Sequence, residues 1–578
     1  MALAPDVISR IRRVALENAV AHEGTARPGP IVSRILAEAA DLRSRSGEVQ
    51  GAVAGVVEEL TRLSLGEQQA LLRSLGGSEP ATARPATGSS VGVFPDLPGA
   101  IDGQVVLRMA PFPSGALHIG NARMLYVNDL YRQRYHGRLL LVFDDTIGSE
   151  EKRIAPELFE VILRDLAIAG VGVDGVFYKS DRLPLTYTWA ERVIDRGGAY
   201  VCRCTAEVLR DRRARGEACP ERLQSPGETK DDWKKMLAGA FAPGEAVLRL
   251  RTDLADPDPA FRDRVLFRLS DLDHPRVGRR WRVWPLLEFS WAVDDVELGI
   301  THVLRGKDLV MEDRMERHIW DLLGVGGPPF LHWGLLRVAE AEAKISKSKG
   351  YALVRSGEYD GWADPRLWSI DSLERRGITA EALRRFTLSF GMSLSDIEVP
   401  AETLYAENRK VLDPTTPRRA YVADPVRVEV EGYPDELGTV ELANHPDRPE
   451  LGRRTVAGGP SVWLSRPDLL RHPGSEVRLK DLVNIALPPE IPSAGAVRAR
   501  FTSRENRRIP RLQWVGAGDA VGVRLLETDG NQRVGLGEAA LRDARPSEIF
   551  QFERVGFVRV ESDWTRGSEP VRVCYGHP

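Results

Sequence analysis

Hydrophobic positions change period several times along the chain, and each change predicts an element or a domain boundary. Over residues 1–75 apolar side chains recur at helical spacing, first at Val7, Ile8, Ile11 and Val14, then at Ile31, Ile35 and Leu36, then at Val53, Val56, Val57 and Leu60. That spacing predicts a small N-terminal helical domain. Residues 76–103 lose the pattern, and the run GGSEPATARPATGSS predicts a linker. From Gln104 the texture becomes that of alternating strands and helices. Val105, Val106 and Leu107 read as a short buried strand, Pro111, Pro113, Ser114 and Gly115 as a turn, and Ile119, Ala122, Leu125, Val127 and Leu130 as a helix ending at Gly137. A second apolar strand follows over Leu139 to Phe143, which makes a right-handed βαβ unit. A loop feeding a helix N-terminus presents unpaired backbone N–H groups and suits a phosphate. His118 is expected in the first turn of that helix, with Gly120 leaving room for a nucleotide.

The same alternation runs over residues 104–197, the first half of a parallel sheet, with an amphipathic stretch from Pro156 to Gly170 and a strand near Val176 to Tyr178. Residues 198–280 break it with irregular runs and read as an insertion. It resumes over 281–350, with a helix from Glu312 to Leu323 and a strand near Phe330 to Leu336. Short helices are expected over 351–413, one of them capped by Thr379. Over 414–578 short alternating runs such as VRVEVEG, VGVRLLET and VGFVRVES predict an all-β region, built as barrels. The fold class expected is therefore multidomain: a split α/β nucleotide-binding domain of Rossmann type with an insertion, a helical domain before it, and a helical connector and β-barrels after it.

Composition alters this picture little. Of 578 residues 42% are hydrophobic and 28% charged, which excludes a disordered or fibrous chain, and the formal charge of −3 argues neither for nor against nucleic acid. No apolar run approaches the roughly 20 residues that span a bilayer, and the N-terminus has no signal-peptide core, so no membrane partner and a cytosolic location are expected. Four cysteines in so long a chain make no disulfide framework. Cys202, Cys204 and Cys219 lie close in sequence, at a spacing that fits either a zinc site or buried thiols, with Glu221 available as a fourth ligand.

Two motifs carry candidate chemistry. In PSGALHIGN, His118 and Asn121 read either as an ordinary helix start or as two donors, one turn apart on one face, for a phosphate in which charge builds. In KISKSKG, from Lys344 to Gly350, the alternating lysines and serines read either as a solvated loop or as ammonium and hydroxyl groups for a triphosphate.

Taken together, the motifs resemble the paired HIGH and KMSKS signatures of the class I aminoacyl-tRNA synthetases. They stand here as HIGN (His118 to Asn121) and KISKS (Lys344 to Ser348), in the family's order and on either side of an insertion. The stretches FDDTIGSEEKR, AVDDVELGITHVLRGKD, WADPRLWSIDSLERRGI, LYAENRKVLDP and QFERVGFVRV narrow the resemblance to the glutamyl/glutaminyl branch in its archaeal form, over residues 100–578. It implies an acceptor-end-binding insertion and anticodon-binding barrels. It also implies a ligase that joins L-glutamate to the 3′ end of tRNA(Glu), and of tRNA(Gln) as a further candidate, through a glutamyl-adenylate, with release of AMP and diphosphate. ATP with Mg2+ is the implied co-substrate, zinc a second candidate metal, and a monomer the expected state. A glutaminyl-tRNA synthetase and a catalytically idle tRNA-binding relative stay open as alternatives.

Residue by residue, the resemblance implies an ATP site from Pro113, Ser114, Gly115, His118, Gly120, Ser346, Lys347 and Ser348, with His118, Asn121, Lys344 and Lys347 catalytic. Arg108 would hold the substrate α-carboxylate, Asp144 the α-amino group and Arg305 the γ-carboxylate. A guanidinium pairs bidentately with a carboxylate but meets a neutral amide donor against donor, so Arg305 favours glutamate over glutamine. Three residues depart from the family pattern: Asn121 replaces the second signature histidine, Asp144 is a methylene shorter than the commoner glutamate, and Leu287 falls where many relatives carry a tyrosine that reads the substrate side chain.

Overall fold

The period changes in the sequence become element boundaries in the computed structural model, which describes residues 5–21, 26, 28–29, 31–32, 35, 45–74, 92–147, 154–342, 347–568 and 570–578. The chain divides into two compact units, Met1–Ser90 and Val91–Pro578. In the first, α1 (Pro5–Ala21), α2 (Ser46–Thr61) and α3 (Leu65–Ser74) bury Ile11, Val14, Val49, Val53, Leu60 and Leu72 in one small core. Leu36, expected in that core, lies outside the described residues.

The second unit is organised on a parallel sheet. Strand β1 (Val106–Met109) pairs with β2 (Arg138–Phe143), and β2 with β3 (Gly175–Tyr178), all parallel. Between β1 and β2 runs α4 (Ala122–Arg134), and between β2 and β3 runs α5 (Glu157–Ile168). Strand β2 is apolar at almost every position because both faces are covered: Leu139, Leu141 and Phe143 enter one core, Leu140 and Val142 another. Residues 92–103, assigned by composition to the linker, instead run along this unit. Leu97 is buried in its core, and the Tyr131 hydroxyl donates to the Pro95 carbonyl at 2.7 Å.

The insertion is more regular than its sequence suggests. After α6 (Leu183–Asp195) come β4 (Ala199–Cys202), α7 (Ala206–Arg215), α8 (Pro226–Leu237), β5 (Val247–Leu250), β6 (Val265–Leu269) and β7 (Val283–Pro285). The four strands form one antiparallel sheet in sequence order around Trp233 and Phe267. Strands this short, carrying Arg249 and Arg268, leave little alternation to read.

The chain then returns to the first sheet through α9 (Leu287–Glu297), β8 (Val303–Gly306), α10 (Val310–Leu323) and β9 (Phe330–Trp333), with β8 and β9 parallel. Thr301, just before β8, joins the two halves: its N–H donates to the Val106 carbonyl and its Oγ1 accepts from the Val106 N–H, both at 2.9 Å. The two parallel sheets, β1-β2-β3 and β8-β9, thus adjoin between β1 and β8, where the strand order reverses. Helix α11 (Lys347–Arg355) precedes a connector of α12 (Ile370–Arg375), α13 (Ala380–Leu388) and α14 (Ala401–Leu412). Thr379 caps α13 as expected, its Oγ1 accepting from the Ala382 N–H at 3.1 Å.

Two seven-stranded sheets complete the chain, one from strands within 425–516, the other from strands within 418–423 and 521–577. The last is tied to the connector. Arg375 pairs with both carboxylate oxygens of Glu561 at 3.0 Å, and the Asn408 amide donates to the Gly377 carbonyl and contacts His577 Nε2. Among the described residues no helix is long and apolar enough to cross a membrane.

Candidate active site

In open α/β sheets, ligands bind beyond the carboxyl ends of the strands where the strand order reverses. Four buried charged side chains collect there. Arg108 comes from the end of β1, Asp144 directly follows β2, Lys179 directly follows β3, and Arg305 comes from the end of β8. Arg108, Asp144 and Arg305 were expected on sequence grounds; Lys179 was not. Its only signal is its place one residue past a strand end, which matters once β3 is known to adjoin β2.

Each charge is held by a partner from another element. Arg108 donates through Nε and Nη2 to Asp295 on α9, the second bond being 2.8 Å. Burial alone would favour loss of the Arg108 proton, but Asp295 holds the guanidinium firmly charged. Lys179 Nζ lies 2.5 Å from Ser290 Oγ and 3.2 Å from Asp144 Oδ1. Arg305 donates through Nε and Nη2 to Asp313 Oδ1, at 3.0 and 2.5 Å, and through Nη2 to Glu316 Oε1 at 2.8 Å. Burial pushes the Glu316 carboxyl up to about 8, against the pull of Arg305. The three cations surround one indole. The Cζ atoms of Arg108 and Arg305 stand 5.0 and 4.9 Å from the centre of the Trp291 ring, and Lys179 Nζ stands 5.2 Å from it.

Donors buried here without a protein partner include Arg305 Nη1 and Trp291 Nε1. Unpaired buried donors cost about 1–3 kcal/mol each, so a cluster of them beside fixed cations fits an anionic ligand that supplies acceptors.

The loop between β1 and α4 differs in detail from its expectation. Pro113 and Gly115 are buried, Ser114 partly so, and His118 lies before α4 in an extended conformation, not within a helical turn. Its backbone bridges to Ser369, while Ile119 N–H donates to Trp368 O and Ile370 N–H to Leu117 O. His118 Nδ1 accepts from the Gly120 N–H at 3.1 Å, and Asn121 Oδ1 accepts from the His118 N–H at 3.2 Å. His118 and Asn121 are thus reciprocal caps of a short turn, not neighbours on one helical face. With Nδ1 accepting, the neutral His118 ring carries its proton on Nε2. The space at Gly120 belongs to the histidine, since a Cβ there would lie 2.8 Å from His118 Cε1.

Asp165 on α5 supports the same loop, its Oδ2 accepting from the Leu117 N–H at 2.7 Å. Burial pushes this carboxyl up to about 7 from 3.8, although the Leu117 bond opposes the shift. Between those pH values the folded chain binds a proton that the unfolded chain releases, so stability falls as pH rises through the window and levels off above it. The expected slope reaches about 1.4 kcal/mol per pH unit. Asp165→Asn will remove this slope. Urea unfolding of both proteins from pH 4 to 8 checks it, and parallel pH profiles would count against the assignment.

Lys344 and Ser346 lie outside the described residues; Lys347 and Ser348 open α11, with side chains also outside them. The Cys202, Cys204 and Cys219 sulfurs lie within 4.8 Å of one another. Arg249 donates to Cys219 Sγ at 2.9 Å, and Glu221 Oε2 is buried without a partner.

Comparison with known proteins agrees with this arrangement. Residues 104–414 match the catalytic domain of tRNA synthetases class I (E and Q), and residues 416–499 and 511–561 match two anticodon-binding domains of that family. The chain is 39% identical over 587 residues to a glutamate–tRNA ligase of Pyrococcus abyssi, covering 98% of each chain. To the glutamate–tRNA ligase of Thermococcus kodakarensis it is 40% identical over 562 residues, covering 95% of this chain and 96% of the relative. To that of Methanopyrus kandleri it is 38% identical over 580 residues, covering 98% of each.

Proposed function

Since the chain belongs to the class I tRNA synthetases of the E and Q type, we propose that it is a glutamate–tRNA ligase acting on L-glutamate, MgATP and tRNA. The observation that carries the choice of glutamate is Arg305, a buried guanidinium at the end of β8 with Nη1 left without a protein partner. An acceptor-only γ-carboxylate answers that donor, whereas glutamine would turn an amide N–H₂ toward it in one orientation and offer a single oxygen in the other.

In this reading Arg108 holds the substrate α-carboxylate while Asp144 takes the α-ammonium, sharing its charge with Lys179. A glutamate α-carboxylate oxygen attacks the α-phosphorus of ATP, the bond to the diphosphate breaks, and glutamyl-adenylate forms. A ribose hydroxyl at the tRNA 3′ end then attacks the acyl carbon and AMP leaves. Positioning and charge stabilisation supply the rate. His118 Nε2 and Asn121 Nδ2 donate to phosphate oxygens, and Asn121 does so as a neutral amide. Lys347, helped by Lys344, Ser346 and Ser348, neutralises the departing diphosphate.

The three thiols of Cys202, Cys204 and Cys219 fit a structural Zn2+, and Glu221, whose carboxylate lies outside their cluster, would be its fourth ligand. Three thiolates, the Glu221 carboxylate and one Zn2+ carry a net charge of −2, which the buried Arg249 beside Cys219 and Arg203 beside Glu221 would balance. Its chemistry would be to fix the insertion, with no part in either transfer.

Aminoacylation of purified tRNA(Glu) and tRNA(Gln) with radiolabelled glutamate or glutamine tests the proposal. Charging with glutamate is expected, and charging with glutamine alone would refute it. Lys347→Ala is expected to lower turnover at least tenfold, about 1.4 kcal/mol of barrier, with tRNA affinity nearly intact. Unchanged turnover would remove that lysine from the mechanism.

A further inference from the structure

We propose that Trp291 is a specificity-determining residue of the amino-acid pocket, its indole N–H giving the γ-carboxylate of glutamate a second hydrogen bond beside that of Arg305. The inference rests on the glutamate reading above and deepens it.

The indole is 5% exposed and its Nε1 has no protein partner. Among the described residues, buried indole N–H groups without partners occur also at Trp233, Trp284 and Trp564, but no other of them has three cations around its ring. Trp233 packs among apolar and aromatic side chains. Trp291 stands amid Arg108, Lys179 and Arg305, the last of which has an unpartnered donor of its own.

The Arg305 Cζ stands 4.9 Å from the ring centre, so the two unpartnered donors belong to one pocket, in which the γ-carboxylate offers an oxygen to each. A carboxylate accepts at both oxygens and an amide at one, so a pair of fixed donors discriminates against glutamine more strongly than one. One helical turn earlier on the same face of α9 stands Leu287, which offers no donor.

Trp291→Phe removes the N–H and keeps a ring against the cations. In steady-state aminoacylation of tRNA(Glu) it is expected to raise KM for L-glutamate about 10- to 100-fold, the effect of one hydrogen bond to a charged group. KM for ATP should stay at the wild-type value, and the preference for glutamate over glutamine should narrow. A role limited to packing would predict an unchanged preference. The wild-type protein gives an independent readout: among the indole N–H resonances of its 12 tryptophans, one should shift on adding L-glutamate. Wild-type charging of glutamate with an unaltered KM in Trp291→Phe would overturn the inference alone. The absence of any indole shift would overturn it even were the variant not to fold. Failure of the wild type to charge glutamate would instead remove the glutamate reading, and the inference with it.

Discussion

Arg305→Met will lower kcat/KM for L-glutamate by at least about 100-fold, or about 2.7 kcal/mol of transition-state stabilisation. The estimate follows from what the guanidinium does. Two of its nitrogens are spent on Asp313 and Glu316, and the third is buried without a protein partner. Methionine keeps the length of the side chain and removes both the charge and the fork. A charge-assisted bond contributes about 1.5–3 kcal/mol in its own right, and the substrate carboxylate would then face two buried acids without their cation. The fold should survive, because Glu316, already raised by burial, takes up a proton once Arg305 is gone. Arg305→Lys, which keeps the charge and loses the fork, should retain more glutamate activity than the methionine variant. Steady-state charging with glutamate and with glutamine separates the two cases. If both substrates lost activity equally, Arg305 would be a structural arginine.

The second large effect is on stability. Asp295→Ala should destabilise the protein by about 3–5 kcal/mol, the usual consequence of leaving one partner of a buried ion pair without the other. Both members are buried, Asp295 completely, and Arg108 spends two of its three nitrogens on it. Asp295→Asn keeps one acceptor and should cost less. The same pair aims Arg108 at the pocket, so KM for glutamate should rise in Asp295→Asn under conditions in which that variant is fully folded. Urea midpoints at an unchanged m-value measure the first effect. A midpoint for Asp295→Ala equal to the wild type would mean that the pair contributes nothing.

Most of the architecture could be read from local pattern. The βαβ unit over 104–143 is visible because β2 is apolar from Leu139 to Phe143 and the turn formers cluster before His118. Arg108, Asp144 and Arg305 are legible only through the family resemblance; the structure adds that each stands at or just past a strand end. What the sequence hides is whatever depends on closing the chain across the insertion. Asp295 is 187 residues from Arg108 and Ser290 is 111 from Lys179, so neither partnership leaves a local trace. Trp291 reads as one more apolar position on an amphipathic helix until three cations are found around it. His118 fails for a different reason. Helical spacing places it in a turn, but the bridge from its backbone to Ser369 holds it extended.

The central claim is that these buried charges select glutamate for attachment to tRNA. The most direct measurement is a competition: purified tRNA(Glu), MgATP and all twenty amino acids at equal concentration, with the ester on the tRNA identified by mass spectrometry. Glutamate as the dominant ester is the predicted result. Glutamine or any other amino acid in its place, or uncharged tRNA, would contradict it.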